Sequence, residues 1–257
     1  MSLEELSHEH IDISIDKIMH EGSYPGVHIE KASPTKIYSN YVRTYLERDI
    51  RQLVEVHNIS QFEKFLTLCA SRVGQIFNKE SLAGEVGVSA PTIGHWLAML
   101  EACYIVFKLP PFFENFGKRV IKSPKLYFCD VGLVAYLLGI ENIQQLLRDP
   151  LRGHLVENLV VLELVKARLN KGLEPRLYFY QESGRTEVDI IYQRGHQLVP
   201  IEIKASKTFN TSFLKGIQSF QKLAGERCVD AAVVYVGDEE QSLGNIRLVN
   251  YRNSAGV

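Results

Sequence analysis

The chain has 257 residues, 46% of them hydrophobic and 23% charged, with a formal net charge of -1. That is enough for one large domain or two ordinary ones with a full core, and it excludes disorder and a small disulfide scaffold. Split along the chain the net charge is -4 over residues 1–60, +2 over 61–130 and +1 over 131–257, so no segment declares nucleic-acid binding by its bulk field.

Apolar runs such as Val131–Ile140 fall far short of the ~20 residues of a membrane helix, and the N-terminus is polar and acidic; no membrane partner and no secretory signal are expected. Cys69, Cys103, Cys129 and Cys228 form no CxxC pair and read as buried free thiols of a cytoplasmic protein. Residues 1–58 are expected to be a leader and a helix. Gly22, Pro25 and Gly26 punctuate two polar stretches, and a helical pattern follows from Tyr38 to Val56. Nothing in residues 1–37 resembles a complete fold, and Met1-Ser2-Leu3 looks like an added start, so the segment is expected to close a longer module. His8, His10, His20 and His28 lack ligand spacing and read as surface histidines.

Residues 59–150 read as helix, helix, turn, helix and strands. Phe62, Phe65, Leu66 and Cys69 form one amphipathic stripe, and a second helix, Lys79–Val86, stops at Gly87. Ser89 is placed as an N-cap with Pro91 in the first turn, and Ile93, Trp96, Leu97 and Leu100 repeat with helical spacing. Tyr104–Leu109 and Lys125–Cys129 then suit a β-hairpin, so the whole resembles a winged helix. The outward positions of its second helix, Thr92, Gly94, His95, Ala98 and Met99, offer nothing that reads base edges. Lys118, Arg119, Lys122 and Lys125 form a basic cluster that reads as a solvated loop, as a contact for protein, or as a wing that touches phosphates without reading sequence.

Residues 151–257 read as helix, three strands, helix and strand. In the helix His154–Asn170 the polar face is Glu163, Lys166 and Asn170, and at ~100° per residue Glu157 falls almost opposite it, aimed at the core. Arg168 lies roughly 16 Å further along the axis, so another partner must justify that burial. A period of two puts Glu187, Asp189 and Ile191 on one face of the next-but-one strand, and Glu202 and Lys204 together on the following strand. With Arg194–Gln197 as the hairpin loop, Asp189 lies opposite Glu202, and two facing carboxylates need a cation between them. Lys204 alone would serve; a divalent metal with oxygen ligands would serve better.

Glu157 on a helix, then Asp189, then Glu202-Ile203-Lys204 on adjacent strands, resembles the PD-(D/E)xK nuclease superfamily, with Val188 where a proline often stands. Tyr41-Val42-Arg43-Thr44-Tyr45-Leu46-Glu47-Arg48-Asp49-Ile50, Lys122-Ser123-Pro124-Lys125-Leu126-Tyr127-Phe128 with Asp130 and Gly132-Leu133, and the Asp189 and Glu202-Ile203-Lys204 motifs together resemble the C-terminal half of a prokaryotic AAA+-type ATPase family. The resemblance implies a mixed α+β chain, a helical winged-helix domain followed by an α/β restriction-endonuclease-like domain over 151–257. It implies Asp189 and Glu202 as ligands of Mg²⁺ or Mn²⁺, Lys204 as the residue that orients water, and Glu157 at a second metal or its water shell. The implied partners are duplex or branched DNA, the P-loop ATPase domain of a longer protein, and further copies of the chain. ATP enters only through that domain, because no GxxxxGK[ST] occurs here. Alternatively the nuclease-like scaffold is a non-catalytic interaction or regulatory module; an operator-reading regulator is disfavoured by the bare recognition helix.

Overall fold

The computed structural model describes residues 1–8, 14–46, 59–113, 121–182 and 186–257. They form a mixed α+β architecture with two units, residues 1–107 with 126–155 and residues 108–125 with 156–257. Residues 108–113 and 121–125, which fall inside the expected 59–150 domain, thus group with the C-terminal sheet.

In the first unit the polar leader is helical: α1 (Leu3–His8), α2 (Ile15–Glu21), α3 (Pro25–His28) and α4 (Pro34–Asn40), the last continuing as a π-helical segment, Tyr41–Leu46. The far half of the expected Tyr38–Val56 helix lies outside the described residues. α5 (Ile59–Ala70), α6 (Lys79–Val86) and α7 (Ala90–Ala102) form the expected helix-turn-helix array. Gly87, at φ 85°, ends α6 in the left-handed conformation glycine tolerates, and the Ser89 hydroxyl accepts the Thr92 amide at the start of α7. Trp96 is core, its ring centroid 5.4 Å from that of Phe62. Met99, expected outward, is buried instead, because it flanks the stripe one turn after Trp96. β1 (Val106–Leu109) and β2 (Lys125–Phe128) pair as a two-stranded sheet, followed by α8 (Val131–Leu137) and α9 (Ile143–Arg148). Cys103 is exposed and Cys129 half-buried, so only Cys69 and Cys228 are the buried thiols expected.

Asp130 ties the leader down. Its carboxylate accepts from Ser23 N (2.8 Å), Ser23 Oγ (2.9 Å), the Tyr38 hydroxyl (2.6 Å) and Leu133 N (2.9 Å), capping α8 while gripping the α2–α3 turn. A Cβ on Gly132 would collide with the backbone of Gly22, so the close approach of α2 to α8 needs glycine there.

In the second unit a six-stranded sheet runs β3-β4-β5-β6-β8-β7. β3 (Leu177–Gln181), β4 (Glu187–Arg194) and β5 (Gln197–Lys204) form an antiparallel meander. α10 (Arg152–Leu169) precedes it, and α11 (Lys215–Ala224) crosses over to β6 (Ala231–Tyr235), which is parallel to β5. β7 (Gln241–Leu243) and β8 (Ile246–Asn250) close the edge. α11 lays Phe220 against Tyr180, Val188, Ile191 and Leu198, and Ile217 against Val233, Tyr235 and Leu248. α10 is buried almost all round from Leu155 to Leu164, Glu163 included; the polar face expected there closes over Glu163, which pairs with Lys166 at 3.1 Å.

β4 departs from simple alternation. Against β3 it pairs Tyr178 with Ile191 and Tyr180 with Val188, so Asp189 and Ile190 together oppose Phe179 in a β-bulge. Ile191 therefore joins Val188 in the core cluster instead of sharing a face with Glu187 and Asp189.

Candidate carboxylate and lysine site

The hairpin of β4 and β5 pairs Arg194 with Gln197 and runs in register to Ile190 and Ile201. One further step sets Asp189 against Glu202, as the sequence spacing requires, and there the ladder gives way to a side chain: Asp189 Oδ2 accepts the Ile203 amide at 2.7 Å. On β5, Lys204 Nζ donates to Glu202 Oε1 at 2.6 Å. Glu202 Oε2 is buried with no hydrogen-bond donor. Gly216, in the first turn of α11, lies over this oxygen: a Cβ there would stand 3.3 Å from it and collide with the Glu187 carbonyl oxygen.

Glu157 reaches the same cluster from α10, and its partner is Lys125. The ammonium of Lys125 lies 3.2 Å from Glu157 Oε1 and 2.8 Å from Glu187 Oε1, and 5.6 Å from the centroid of the Phe179 ring. Its side chain is 4% exposed, whereas that of Glu187 is 45% exposed. The sequence groups Lys125 with the basic cluster; as the first residue of a strand buried along its whole length, it is instead the core cation of the site. Of that cluster Lys122 is exposed, while Lys118 and Arg119 lie outside the described residues. Arg168 donates to the Glu174 carbonyl and stacks on Tyr192.

Four carboxylates, Glu157, Glu187, Asp189 and Glu202, thus share two ammonium groups, Lys125 and Lys204. The imbalance shows in the titration of the pair. Burial first, then the charges of Glu202 and Glu157, push the Asp189 carboxyl well above the usual carboxylate range against the pull of Lys125 and Lys204. Burial also raises Glu202, with Lys204 opposing and Glu187 and Glu157 reinforcing. The amine of Lys125 moves up: burial opposes its charge, but Glu157, Asp189 and Glu187 outweigh it.

The donor set fits a hard divalent cation. Asp189 and Glu202 offer oxygen only, one of those oxygens is orphaned, and Mg²⁺ commonly takes one or two carboxylates and completes its shell with water and phosphate. Among the described residues no group of three or more His, Cys, Asp or Glu side chains is arranged to hold a metal by itself.

The fold and site define a class: a helix-turn-helix unit joined to a mixed α/β sheet unit that carries a carboxylate and lysine cluster. Comparison with known families makes this particular. The chain belongs to the family described as a domain of unknown function, DUF8612, which matches residues 13–144, and it carries a second domain of unknown function, DUF4143, over residues 152–253. An uncharacterised protein of Mycobacterium tuberculosis is 31% identical over 206 residues, covering 80% of this chain and 45% of that protein, and one of Mycobacterium bovis matches equally. An uncharacterised protein of Methanocaldococcus jannaschii is 26% identical over 219 residues, covering 83% of this chain and 43% of its own length. The chain therefore spans less than half the length of these relatives. No helix among the described residues is long and apolar enough to cross a membrane.

Proposed function

We propose that the chain is a DNA-directed, nuclease-like part of a larger ATPase, with Asp189 and Glu202 holding Mg²⁺ or Mn²⁺ beside a phosphodiester. The observation that carries this reading is the orphaned, buried Glu202 Oε2, across from Asp189 in a cluster with an excess of negative charge. When bound, the cation supplies Lewis acidity toward water and the phosphoryl oxygens. Asp189 stays fixed by the Ile203 amide, so its free oxygen is held without loss of side-chain freedom at each turnover. Lys204, partly exposed and anchored on Glu202, orients the attacking water and offsets charge that gathers on the phosphoryl group.

The helix-turn-helix and the β1–β2 sheet support duplex contact as a winged helix. The exposed residues of α7, Pro91, His95, Ala98 and Ala102, include no Arg, Lys, Asn or Gln to read base edges, so contact runs through phosphates, with Lys118, Arg119 and Lys122 as the cations. The length of the relatives beyond this chain accommodates the P-loop ATPase that the sequence resemblance implies, and DUF4143 domains are often found C-terminal to AAA ATPase domains.

A non-catalytic regulatory or interaction module is favoured by one feature, the buried Lys125–Glu157 pair, which would hold the sheet unit together without metal. Calorimetric titration of Mg²⁺ and Mn²⁺ into wild type and Asp189→Ala, with the same samples assayed on labelled linear and branched DNA, separates the two. The nuclease reading expects binding and metal-dependent cleavage in wild type and neither in the variant. A wild type that binds no metal at millimolar excess leaves the non-catalytic module.

A further inference from the structure

We infer that Lys125 is a built-in cation that limits this cluster to a single divalent metal ion, by occupying the Glu157 and Glu187 half and leaving the Asp189 and Glu202 half open. The inference rests on the proposed metal site and departs from the sequence expectation that Glu157 serves a second metal.

Three observations carry it. The first is geometry. Lys125 comes from a strand more than thirty positions before Glu157, and its ammonium contacts Glu157 at 3.2 Å and Glu187 at 2.8 Å with the Phe179 ring close by. Glu157 is therefore already turned toward a cation that is part of the chain. Displacing that cation would require moving a side chain only 4% exposed on a strand whose next residue, Leu126, is fixed by hydrogen bonds to Gln75 O at 3.1 Å and from Gly74 N at 2.8 Å.

The second is charge. Four carboxylates and two ammonium groups leave two negative charges, the charge of one divalent ion. With all four carboxylates ionised, a second divalent ion would leave two uncompensated positive charges in a low-dielectric place. Without Lys125 one ion leaves a single negative charge and two leave a single positive one, so the second ion is no longer opposed more than the first is needed.

The third is the division of unsatisfied groups. The orphaned oxygen belongs to Glu202, on the half that Lys125 does not touch. In chemical terms Lys125 is a positioning residue: it holds Glu157 and Glu187 in place of a second metal and sets the potential felt by the first.

The test is binding stoichiometry, read without reference to activity. Mn²⁺ alone is titrated into the full chain by calorimetry, with free Mn²⁺ followed by electron paramagnetic resonance. Wild type is expected to bind one ion. Glu157→Gln is expected to keep that single site with affinity within about tenfold, whereas Asp189→Asn loses binding by more than about tenfold. Lys125→Met is expected to bind two ions, which a merely structural lysine would not produce. Two ions in wild type, falling to one in Glu157→Gln, would overturn the inference and leave the proposed metal site standing. No ion in wild type would overturn the proposed function itself. Where Lys125→Met fails to show native circular dichroism, the Glu157→Gln stoichiometry decides alone.

Discussion

Lys125→Met is the perturbation with the most to say about the sheet unit. Methionine keeps most of the buried stem, so the change removes charge more than volume. The two ion pairs it breaks are unequal. Glu157, with a side chain 11% exposed, is left as a buried carboxylate without its cation, and breaking such a pair costs about 3–5 kcal/mol. Glu187 is 45% exposed, so solvent screens its share to below about 1 kcal/mol. Loss of about 3–5 kcal/mol is therefore expected in urea unfolding followed by far-UV circular dichroism with chelator present, out of a typical total of about 5–15 kcal/mol. The double variant Lys125→Met/Glu157→Gln removes the stranded charge and is expected to recover about half of the loss. The pH profile has a fixed sign. The folded amine titrates above its ordinary value of 10.5, so above that pH the native state binds more protons than the unfolded one. The stabilisation is fully present below pH 10.5 and is lost as pH rises through the higher folded value, a component the variant lacks. A single variant that loses less than about 1 kcal/mol, or a double variant no better than the single, would refute the assignment of Lys125 as the core cation.

Three further outcomes follow from other parts of the chain. Asp130→Asn puts an amide donor where Ser23 and Tyr38 already donate, and is expected to cost about 2–4 kcal/mol and to raise amide exchange at Ser23 and Leu133 in mass-spectrometric hydrogen exchange. Gly216→Val drives a side chain into the Glu187 carbonyl and is expected to destabilise by about 1–3 kcal/mol, read as a lowered thermal midpoint, while Gly84→Ala, at an open position, does not. Thiol labelling at pH 8 with peptide mapping is expected to find Cys103 first: it is exposed, whereas burial pushes the Cys228 thiol up to about 11, and burial raises that of Cys69 as well. Equal labelling of Cys103 and Cys228 would contradict the burial.

Much of the local order was legible because it is written in short-range chemistry. Ser89 as a cap, Gly87 as a left-handed stop and Trp96 on an apolar stripe depend on residues within one turn of one another. The hairpin register was legible for the same reason: a turn centred on Gly195 and His196 fixes every later pair up to Ile190 and Ile201. What the residues did not reveal is long-range. Asp130 holds Ser23 and Tyr38 across 107 and 92 positions, so the polar leader looked unpartnered. Glu157 reads from the sequence as a buried carboxylate in want of a cation, but that cation stands 32 positions upstream, at the head of the expected strand Lys125–Cys129, where it also falls within a basic cluster. The available signal was Lys125 opening a strand of Leu126, Tyr127 and Phe128; a lysine in such a run is either at an edge or paired. The β7 and β8 hairpin passed unnoticed because Gln241-Ser242-Leu243 barely alternates.

The bulge in β4 explains how an apolar strand can present an acid at this place. Val188 and Ile191 are both fully buried in the cluster around Phe220, yet they are three residues apart, and strict alternation would send one of them to the opposite face. The extra residue opposite Phe179 reconciles the two, so the core is satisfied on both sides of the irregularity. The position released from the ladder is Asp189, whose carboxylate is then free to take the Ile203 amide and to stand across from Glu202. Packing thus sets where the strand must slip, and the slip sets which side chain can leave the pleat. An acid there, faced by a second acid and flanked by two lysines, is a poor solution for stability alone, because like charges are brought together in a buried place. It is a good solution for holding one cation, and that asymmetry is the physical reason to look for a ligand at this end of the sheet before looking anywhere else.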